Sequence, residues 1–463
     1  MATLEPFDAI LIGSGQAANP LARSLTRAGW KVALVERAEV GGTCINRGCT
    51  PTKTMIASAR VAYLARRAGD YGVHLDGVAV RLDEVQKRKQ LLVEEFRSGS
   101  ERRLQETQGL ALVRGEAAFT GPVAVAVKQR DGGLRHLTAP KIFINTGCRP
   151  KRPDLDGLAA VPALDSTTVM EVATLPEHLL VLGGGYVGLE FAQMFRRFGS
   201  RVTLVQSGDQ LLSREDSDVA AAVADVLRED GIEVLLNARA IKVAAAGKGA
   251  VQLTVRTPAG ERTLAGTHLL LAAGRVPNTE TLNLAAAGIK MDARGFVPVN
   301  ERLETNVPGV YALGDVNGGP AFTHVSYHDH LIVRVNLLEN GARSTRDRLV
   351  PYTVFTDPEL GRVGLTEQQA RERGLAIKVA KMPMAYVARA LEQGESRGFM
   401  KVVVDTRTDQ ILGCAVLGLV AGEVMAMLQI AMMGQLPYQR LRDDMFAHPT
   451  LAEALNNLFA SFE

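Results

Sequence analysis

The chain has 463 residues, 46% hydrophobic and 22% charged, with 53 Lys and Arg against 50 Asp and Glu for a formal net charge of +3. That length gives room for about three domains of roughly 150 residues, and the composition excludes a disordered chain or a highly charged scaffold. So small a net charge makes no case for nucleic acid or an anionic membrane, and four cysteines exclude a secreted disulfide framework.

The N-terminal stretch carries Glu5 and Asp8 rather than a basic segment, and its first apolar run leads into a glycine turn, not a cleavage site. No run reaches the roughly 18 apolar residues of a spanning helix. A cytoplasmic, reducing location is the expectation.

The run Phe7 to Ile12 reads as a strand ending in Gly13-Ser14-Gly15-Gln16-Ala17-Ala18. A helix pattern follows to Gly29, then a strand from Lys31 to Val35, closed by Glu36. In such a unit Gly13 permits the tight turn and Gly15 lets a pyrophosphate approach the backbone. Ala18 allows close helix–strand packing, and Glu36 can accept hydrogen bonds from a ribose 2′-hydroxyl.

After this unit come a charge-mixed helix pattern, Arg81 to Gln108, and a strand patch, Val123 to Leu137, with a hairpin turn at Arg130-Asp131-Gly132-Gly133. An apolar strand from Ile142 to Gly147 closes the first cycle.

The plan then repeats. His178 to Leu182 is a strand, Gly183-Gly184-Gly185-Tyr186-Val187-Gly188 is the turn, and a helix runs to Phe198. The next strand, Arg201 to Val205, closes on Gln206, not on an acid. A carboxylate there would repel a 2′-phosphate, so its absence favours NADPH while leaving NADH possible. A strand patch from Ala238 to Leu264 and an apolar strand from Leu269 to Gly274 follow. One glycine turn is a weak signal; two, each in its full strand–helix–strand setting, are strong.

Val310 to Asp315 reads as a further strand ending in Gly-Asp, so the first nucleotide domain is expected to be split. From about Pro351 the texture becomes α+β. Strands are expected over Phe399 to Asp405 and Ile411 to Leu417, and helices over Glu423 to Met433 and Thr450 to Phe459.

The segment Gly41 to Lys53 reads GGTCINRGCTPTK. Pro51 suits a first helical position with Thr50 as N-cap, which puts Cys49 at a helix N-terminus, where the dipole stabilises a thiolate. Positions five apart on an ideal helix have Cα atoms roughly 8.6 Å apart, too far for a disulfide. Cys44 and Cys49 can bridge only across an irregular turn, which Asn46 and Gly48 permit. Two zinc ligands, two inert buried thiols and a reversible redox disulfide all remain open on these residues. The lack of a second Cys/His pair with ligand spacing disfavours zinc.

Lys53 falls in the first turn of that helix, where a cation opposes the dipole. Glu190 lies on the apolar stripe of Val187, Phe191, Met194 and Phe198, so it calls for a buried cation, and Lys53 is a candidate. His448-Pro449-Thr450-Leu451-Ala452-Glu453 places a carboxylate near an imidazole, the composition of a general base. His324, His328 and His330 are best read as part of a polar helix, not as metal ligands.

With these motifs on the page, the chain resembles the class I flavin disulfide reductases over essentially its whole length. The wording GGTCINRGCTPTK, GGGYVGLEFA and GDVNGGPAFTHVS is closest to mercuric-reductase-like proteins and to bacterial reductases of the oxidant-response type. The resemblance implies an α/β fold with two Rossmann-like domains. One, over 1–150 and 280–345, would take FAD. The other, 151–279, would take NAD(P)H, and an α+β domain at 346–463 would form a homodimer.

By motif, Gly13, Gly15, Ala18 and Glu36 would hold the ADP half of FAD, with Gly42, Thr43, Thr146 and Gly147 in the same site and Asp315 on the ribityl chain. Gly183, Gly185, Gly188, Gln206 and Gly274 would serve NAD(P), and Tyr186 would gate the nicotinamide pocket. Cys49 would be the thiol nearest the flavin and Cys44 the interchange thiol. Lys53 and Glu190 would pair by the flavin, and His448, oriented by Glu453, would be acid–base for the partner subunit's site.

The implied activity is electron transfer from NAD(P)H through FAD and the dithiol to a small disulfide; reduction of mercuric or cupric ions is the alternative. The chain ends Ser461-Phe462-Glu463, without the vicinal cysteines of mercuric reductases, and it keeps the His-Pro…Glu motif that they lack. A dedicated mercuric reductase is therefore not the expectation. A flavoprotein binding module would leave the cysteine pair and His448 without a role.

Overall fold

The computed structural model describes residues 4–247, 250–346 and 348–462. It divides into two compact units. The first comprises Met1–Thr54, Glu84–Lys151 and Gly274–Arg348. The second comprises Met55–Asp83, Arg152–Ala273 and Leu349–Glu463.

The first unit is built on an eight-stranded sheet. Its parallel part runs in the order Leu110–Gly121, Val32–Glu36, Ala9–Ile12, Lys141–Ile144, Val310–Ala312. Successive residues feed opposite faces. Ile10, Ile12, Ala33, Val35, Ile142 and Ile144 enter one core, while Ala9, Leu11, Val32, Leu34 and Phe143 enter the other. Both faces are covered, so these strands read as unbroken apolar runs instead of alternating ones. The helix Ala18–Arg27 buries Ala18, Leu21, Ala22 and Leu25 on one of those faces.

In the second unit a parallel sheet runs Glu233–Leu235, Arg201–Val205, His178–Leu182, His268–Leu271, Ala163–Leu164. The helices Tyr186–Phe198 and Ser217–Glu229 belong to this unit, as does an antiparallel meander of Arg239–Ala245, Val251–Thr257 and Gly260–Gly266. Its C-terminal part is an antiparallel sheet in the order Tyr352–Val354, Glu359–Gly364, Ile411–Gly418, Phe399–Asp405, Ile377–Pro383. The helix Ala421–Met433 packs Val424, Met425 and Leu428 into the core of that sheet.

Two helix starts differ from expectation. The helix after the cysteine segment spans Cys49–Arg66, so Thr50 is inside it and is not its cap. Thr52 N bonds Gly48 O at 3.1 Å. Proline is tolerated two positions later than expected because first-turn N–H groups need no helical partner. The last helix spans Ala454–Ala460, not Thr450 onward; Thr450 instead accepts from Glu453 N at 3.2 Å and donates to Ala447 O at 2.7 Å.

Candidate active site and cofactor cleft

The cysteine pair lies where two helices meet. Cys44 sits in the short helix Gly42–Asn46, and Cys49 opens Cys49–Arg66. Arg47, at φ −146, breaks the helical path between them. That irregular turn brings the two thiols within hydrogen-bond reach of each other. Cys49 Sγ lies 3.5 Å from Thr323 Oγ1.

The hydrogen bond to Cys49, burial and the charge of Cys49 together push the Cys44 thiol far above its ordinary range, against the opposing pull of Thr323 and Lys53. Two close thiols that cannot both ionise give up their protons in sequence. The Cys49 position, at the positive end of an 18-residue helix, is the one suited to carry the first charge. The other two cysteines are buried, and burial pushes both Cys148 and Cys414 up to about 12.

Beside the pair opens a cleft lined by Gly13, Gly15, Glu36, Gly42, Thr43 and Thr146, among others. Ala18, Gly147 and Asp315 are not on that lining. Glu36 Oε2 accepts Ser14 N at 2.8 Å and Ser14 Oγ at 2.6 Å, and its Oε1 accepts Ala38 N at 2.7 Å. A carboxylate has about four acceptor positions, so it retains capacity for a ligand hydroxyl. Two buried atoms on this lining, Thr146 Oγ1 and Asn46 Oδ1, have no hydrogen-bond partner among the described residues. Orphaned polar atoms around a glycine turn are what a bound dinucleotide would satisfy; the residues fit FAD.

Sequence reasoning missed three residues here. Asn145 follows the strand Lys141–Ile144. Its Oδ1 accepts Ala18 N at 3.2 Å and its Nδ2 donates to Leu313 O at 2.6 Å. Asp329, buried, accepts Gly314 N at 2.7 Å and Arg348 Nη2 at 2.7 Å. Together they fix the turn that presents Asp315, whose carboxyl is raised by burial against the opposing charge of Arg275. Thr323, on both thiols, is the third. A polar residue at the end of an apolar strand was the only available signal for Asn145; nothing local marked the other two.

His324, His328 and His330 lie on the helix Thr323–Leu338. Burial, then Arg348 and Arg343, lower His328, and burial lowers His330 against a hydrogen bond to Tyr327 O. The described residues hold no group of three or more His, Cys, Asp or Glu arranged for a metal ion.

In the second unit the strand His178–Leu182 runs into Gly183, and Tyr186 opens the helix Tyr186–Phe198. Gln206 Oε1 accepts Gly184 N at 3.0 Å, and its Nε2 donates to Gln210 O at 3.1 Å. Gly185 is exposed and Gly188 buried. Gly274, at φ +103, belongs to the first unit, where it opens a segment of the chain. Glu190 is buried and accepts Phe355 N at 3.0 Å. His448 is 73% exposed, with Nδ1 at 2.9 Å from both carboxylate oxygens of Glu453. No helix among the described residues is long and apolar enough to cross a membrane.

Fold, glycine turns and thiol pair together define a flavin-dependent, nicotinamide-linked disulfide oxidoreductase. The chain belongs to the pyridine nucleotide-disulphide oxidoreductase family: residues 7–329 match that family's model, and residues 350–459 match its dimerisation domain. Its cofactors are FAD and a pyridine nucleotide, and its chemistry acts on sulfur. It is 38% identical over 461 residues to "Probable pyridine nucleotide-disulfide oxidoreductase RclA" of Escherichia coli, covering 99% of each chain. It is 35% identical to a mercuric reductase of Staphylococcus aureus, over 99% of this chain and 82% of that one. A dihydrolipoyl dehydrogenase of Chlamydia pneumoniae is 32% identical, over 97% and 95%. Among solved structures, the Cu(II) complex of the HOCl-induced flavoprotein disulfide reductase RclA from Escherichia coli matches with a TM-score of 0.90 at 38% identity, over 99% of this chain and 100% of that one.

Proposed function

We propose that the chain reduces a small disulfide with electrons from NAD(P)H, through a Cys44–Cys49 pair that cycles between disulfide and dithiol. The observation that carries this reading is the pair itself: two thiols in contact across a broken helix, one at a helix N-terminus, beside the cleft of the first glycine turn.

FAD, when bound, supplies the two-electron relay between the nicotinamide and the cysteine pair. Gly13, Gly15, Ala18, Glu36, Gly42, Thr43, Thr146, Gly147 and Asp315 are assigned to it, within a domain of residues 1–150 and 280–345. Gly183, Gly185, Tyr186, Gly188, Gln206 and Gly274 are assigned to the nicotinamide nucleotide, within a domain of residues 151–279. Uncharged Gln206 favours NADPH. Lys53 and Glu190 complete the catalytic set. Residues 346–463 would form the homodimer, and the exposed His448, held by Glu453, would serve the partner subunit's thiols.

The chemistry of the residues then follows. His448 takes the Cys44 proton as the Cys44 sulfur attacks one sulfur of the substrate, forming a mixed disulfide and expelling a thiolate, which recovers that proton from His448. Cys49 attacks the Cys44 sulfur, closes the protein disulfide and releases the second half of the substrate as a thiol. Two electrons and two protons leave the dithiol, and one disulfide becomes two thiols. A reducing cytoplasm suits such a cycle.

A second reading, reduction of a soft metal ion, rests on the same pair, since two adjacent thiolates favour such ions. Mercuric reductases and a Cu(II) complex stand among the relatives.

The test is anaerobic NADPH titration of the yellow protein, followed by turnover with a panel of disulfides, Cu(II), Hg(II) and quinones. Wild type should develop a long-wavelength absorbance band from the Cys49 thiolate. Cys44→Ser should keep flavin reduction and lose disulfide turnover by at least a hundredfold. Undiminished turnover in that variant would reject the reading. Turnover confined to the metal ions would move the assignment to the second one.

A further inference from the structure

The second unit contains a cavity of about 680 Å³ that none of the assigned positions uses. Five arginines line it, Arg66, Arg67, Arg196, Arg197 and Arg397, against the carboxylates of Glu229, Asp230 and Glu395. Three of the arginines are fully engaged. Arg197, 5% exposed, pairs with Asp230 at 3.1 Å and with Asp357 at 2.5 Å. Arg397 pairs with Glu395 at 2.6 Å and Asp230 at 2.8 Å. Arg67 reaches Asp70, the Tyr63 hydroxyl and Gly394 O. These groups make a fixed wall whose buried charges already satisfy one another.

Arg66 and Arg196 differ. Arg66 donates to Arg197 O, and Arg196 Nε donates to Asp230 O at 2.9 Å. Neither makes an ion pair among the described residues. The plainest account is that each caps a helix end, since Arg197 and Asp230 stand at the ends of Tyr186–Phe198 and Ser217–Glu229. Capping uses one N–H of the five each guanidinium carries. It leaves unexplained why both remainders border one cavity.

We infer that this cavity binds a small, multiply charged phosphate anion, held between Arg66 and Arg196. Guanidinium groups match phosphate oxygens in pairs, and a charge-assisted bond of this kind is about twice as strong as a neutral one. The volume suits more than a single ion. A nucleobase is not the target. Among the described residues Tyr63 is the only aromatic one on the lining, and its ring already carries Arg197 at 3.8 Å and Arg67 at 5.2 Å. The phosphate could arrive free or as part of a nucleotide, and the experiment separates these sources.

The test uses the FAD-loaded holoenzyme with saturating NADP⁺, so that both glycine turns are occupied. Inorganic pyrophosphate is titrated by calorimetry at fixed ionic strength, with ADP and sulfate as parallel arms. Saturable binding of pyrophosphate is expected, at least tenfold weaker in the Arg66→Gln, Arg196→Gln double variant, with NADPH turnover unchanged. ADP should bind no tighter than pyrophosphate. Equal binding by wild type and variant, no saturable binding in wild type, or tighter binding of ADP would each overturn the assignment. Should the double variant fail to fold, amide exchange on wild type decides. Pyrophosphate should slow exchange at 394–397 and 196–200, and unchanged rates there would reject the site.

Discussion

In the first unit the turn after Ala9–Ile12 starts at Gly13, whose N–H bonds Val35 O at 2.8 Å; in the second, the turn after His178–Leu182 starts at Gly183, whose N–H bonds Val205 O at 2.9 Å. The next strand along closes both in the same way: Asn145 N bonds Ile12 O, and Ala272 N bonds Leu182 O, each at 2.8 Å. The backbone plan is one; the side chains solve it differently. A Cβ on Gly15 would fall 2.5 Å from Asn145 Oδ1, whereas a Cβ on Gly185 would meet nothing within 4 Å. At the third position the order reverses. Ala18 carries its methyl and donates its N–H to Asn145, while a Cβ on Gly188 would fall 2.0 Å from Gly183 O. With Asn145 as a wedge, the first helix is tied by a side chain. With Ala272 in that place, the second helix packs directly on the turn. The same letters in a motif therefore answer to different forces in the two halves.

The largest effect that comparison predicts is at Gly188. Gly188→Ala drives a methyl into a backbone carbonyl, and overpacking of this kind costs about 1–3 kcal/mol or somewhat more. NADPH-driven flavin reduction should fall at least tenfold while dithionite still reduces the protein. Ala18→Gly, the reverse exchange in the first turn, should cost only about 0.5–1 kcal/mol. Urea denaturation of both variants checks this, and equal stabilities would dissolve the contrast.

Asn145→Ala comes next. It strips partners from the buried Ala18 N–H and Leu313 carbonyl, at about 1–3 kcal/mol. It also vacates the space that forbids a methyl at position 15. Gly15→Ala should be strongly destabilising alone and nearly neutral in the Asn145→Ala background, a coupling of about 1 kcal/mol or more in a double-mutant cycle. Additive costs would show that Asn145 is not what demands glycine there.

What could be read from the chain tracks how local each cause is. Parallel strands, turn glycines and the closing Glu36 or Gln206 follow from contiguous residues, and the helix end at Phe198 was legible because Gly199 follows it. The broken helix between Cys44 and Cys49 was legible as a requirement, since a continuous helix cannot bring the thiols together. Asn145 and Asp329 were not, because their partners lie 127, 168 and 15 positions away. The start at Cys49 was misplaced because the first-position preference of proline is a statistical habit, whereas the missing N–H is harmless anywhere in the first turn.

A smaller effect is expected at the closing residues. Glu36 and Gln206 both reach back to their turns, through Ser14 N and Gly184 N. A carboxylate in place of Gln206 could still accept from Gly184 N but would set an acceptor against Gln210 O. Gln206→Glu should therefore cost about 1 kcal/mol of stability. It should lower kcat/KM for NADPH relative to NADH about tenfold, which is about 1.4 kcal/mol. An unchanged ratio would mean the 2′-phosphate is recognised elsewhere.

The smallest effect on the fold is expected at Gly185, and that smallness is informative. Its φ of −84 and ψ of 171 are open to any residue, and its missing side chain leaves empty space. Nothing among the described residues requires glycine there, so the remaining physical reason is close approach of a ligand to the backbone. Gly185→Ala should show unchanged urea stability with a severalfold rise in KM for NADPH. Gly15→Ala, by contrast, should lose stability whether or not FAD is bound. If Gly185→Ala unfolds more readily than wild type, the two turns share one steric cause after all. If it binds NADPH normally, the second turn is not where the pyrophosphate sits.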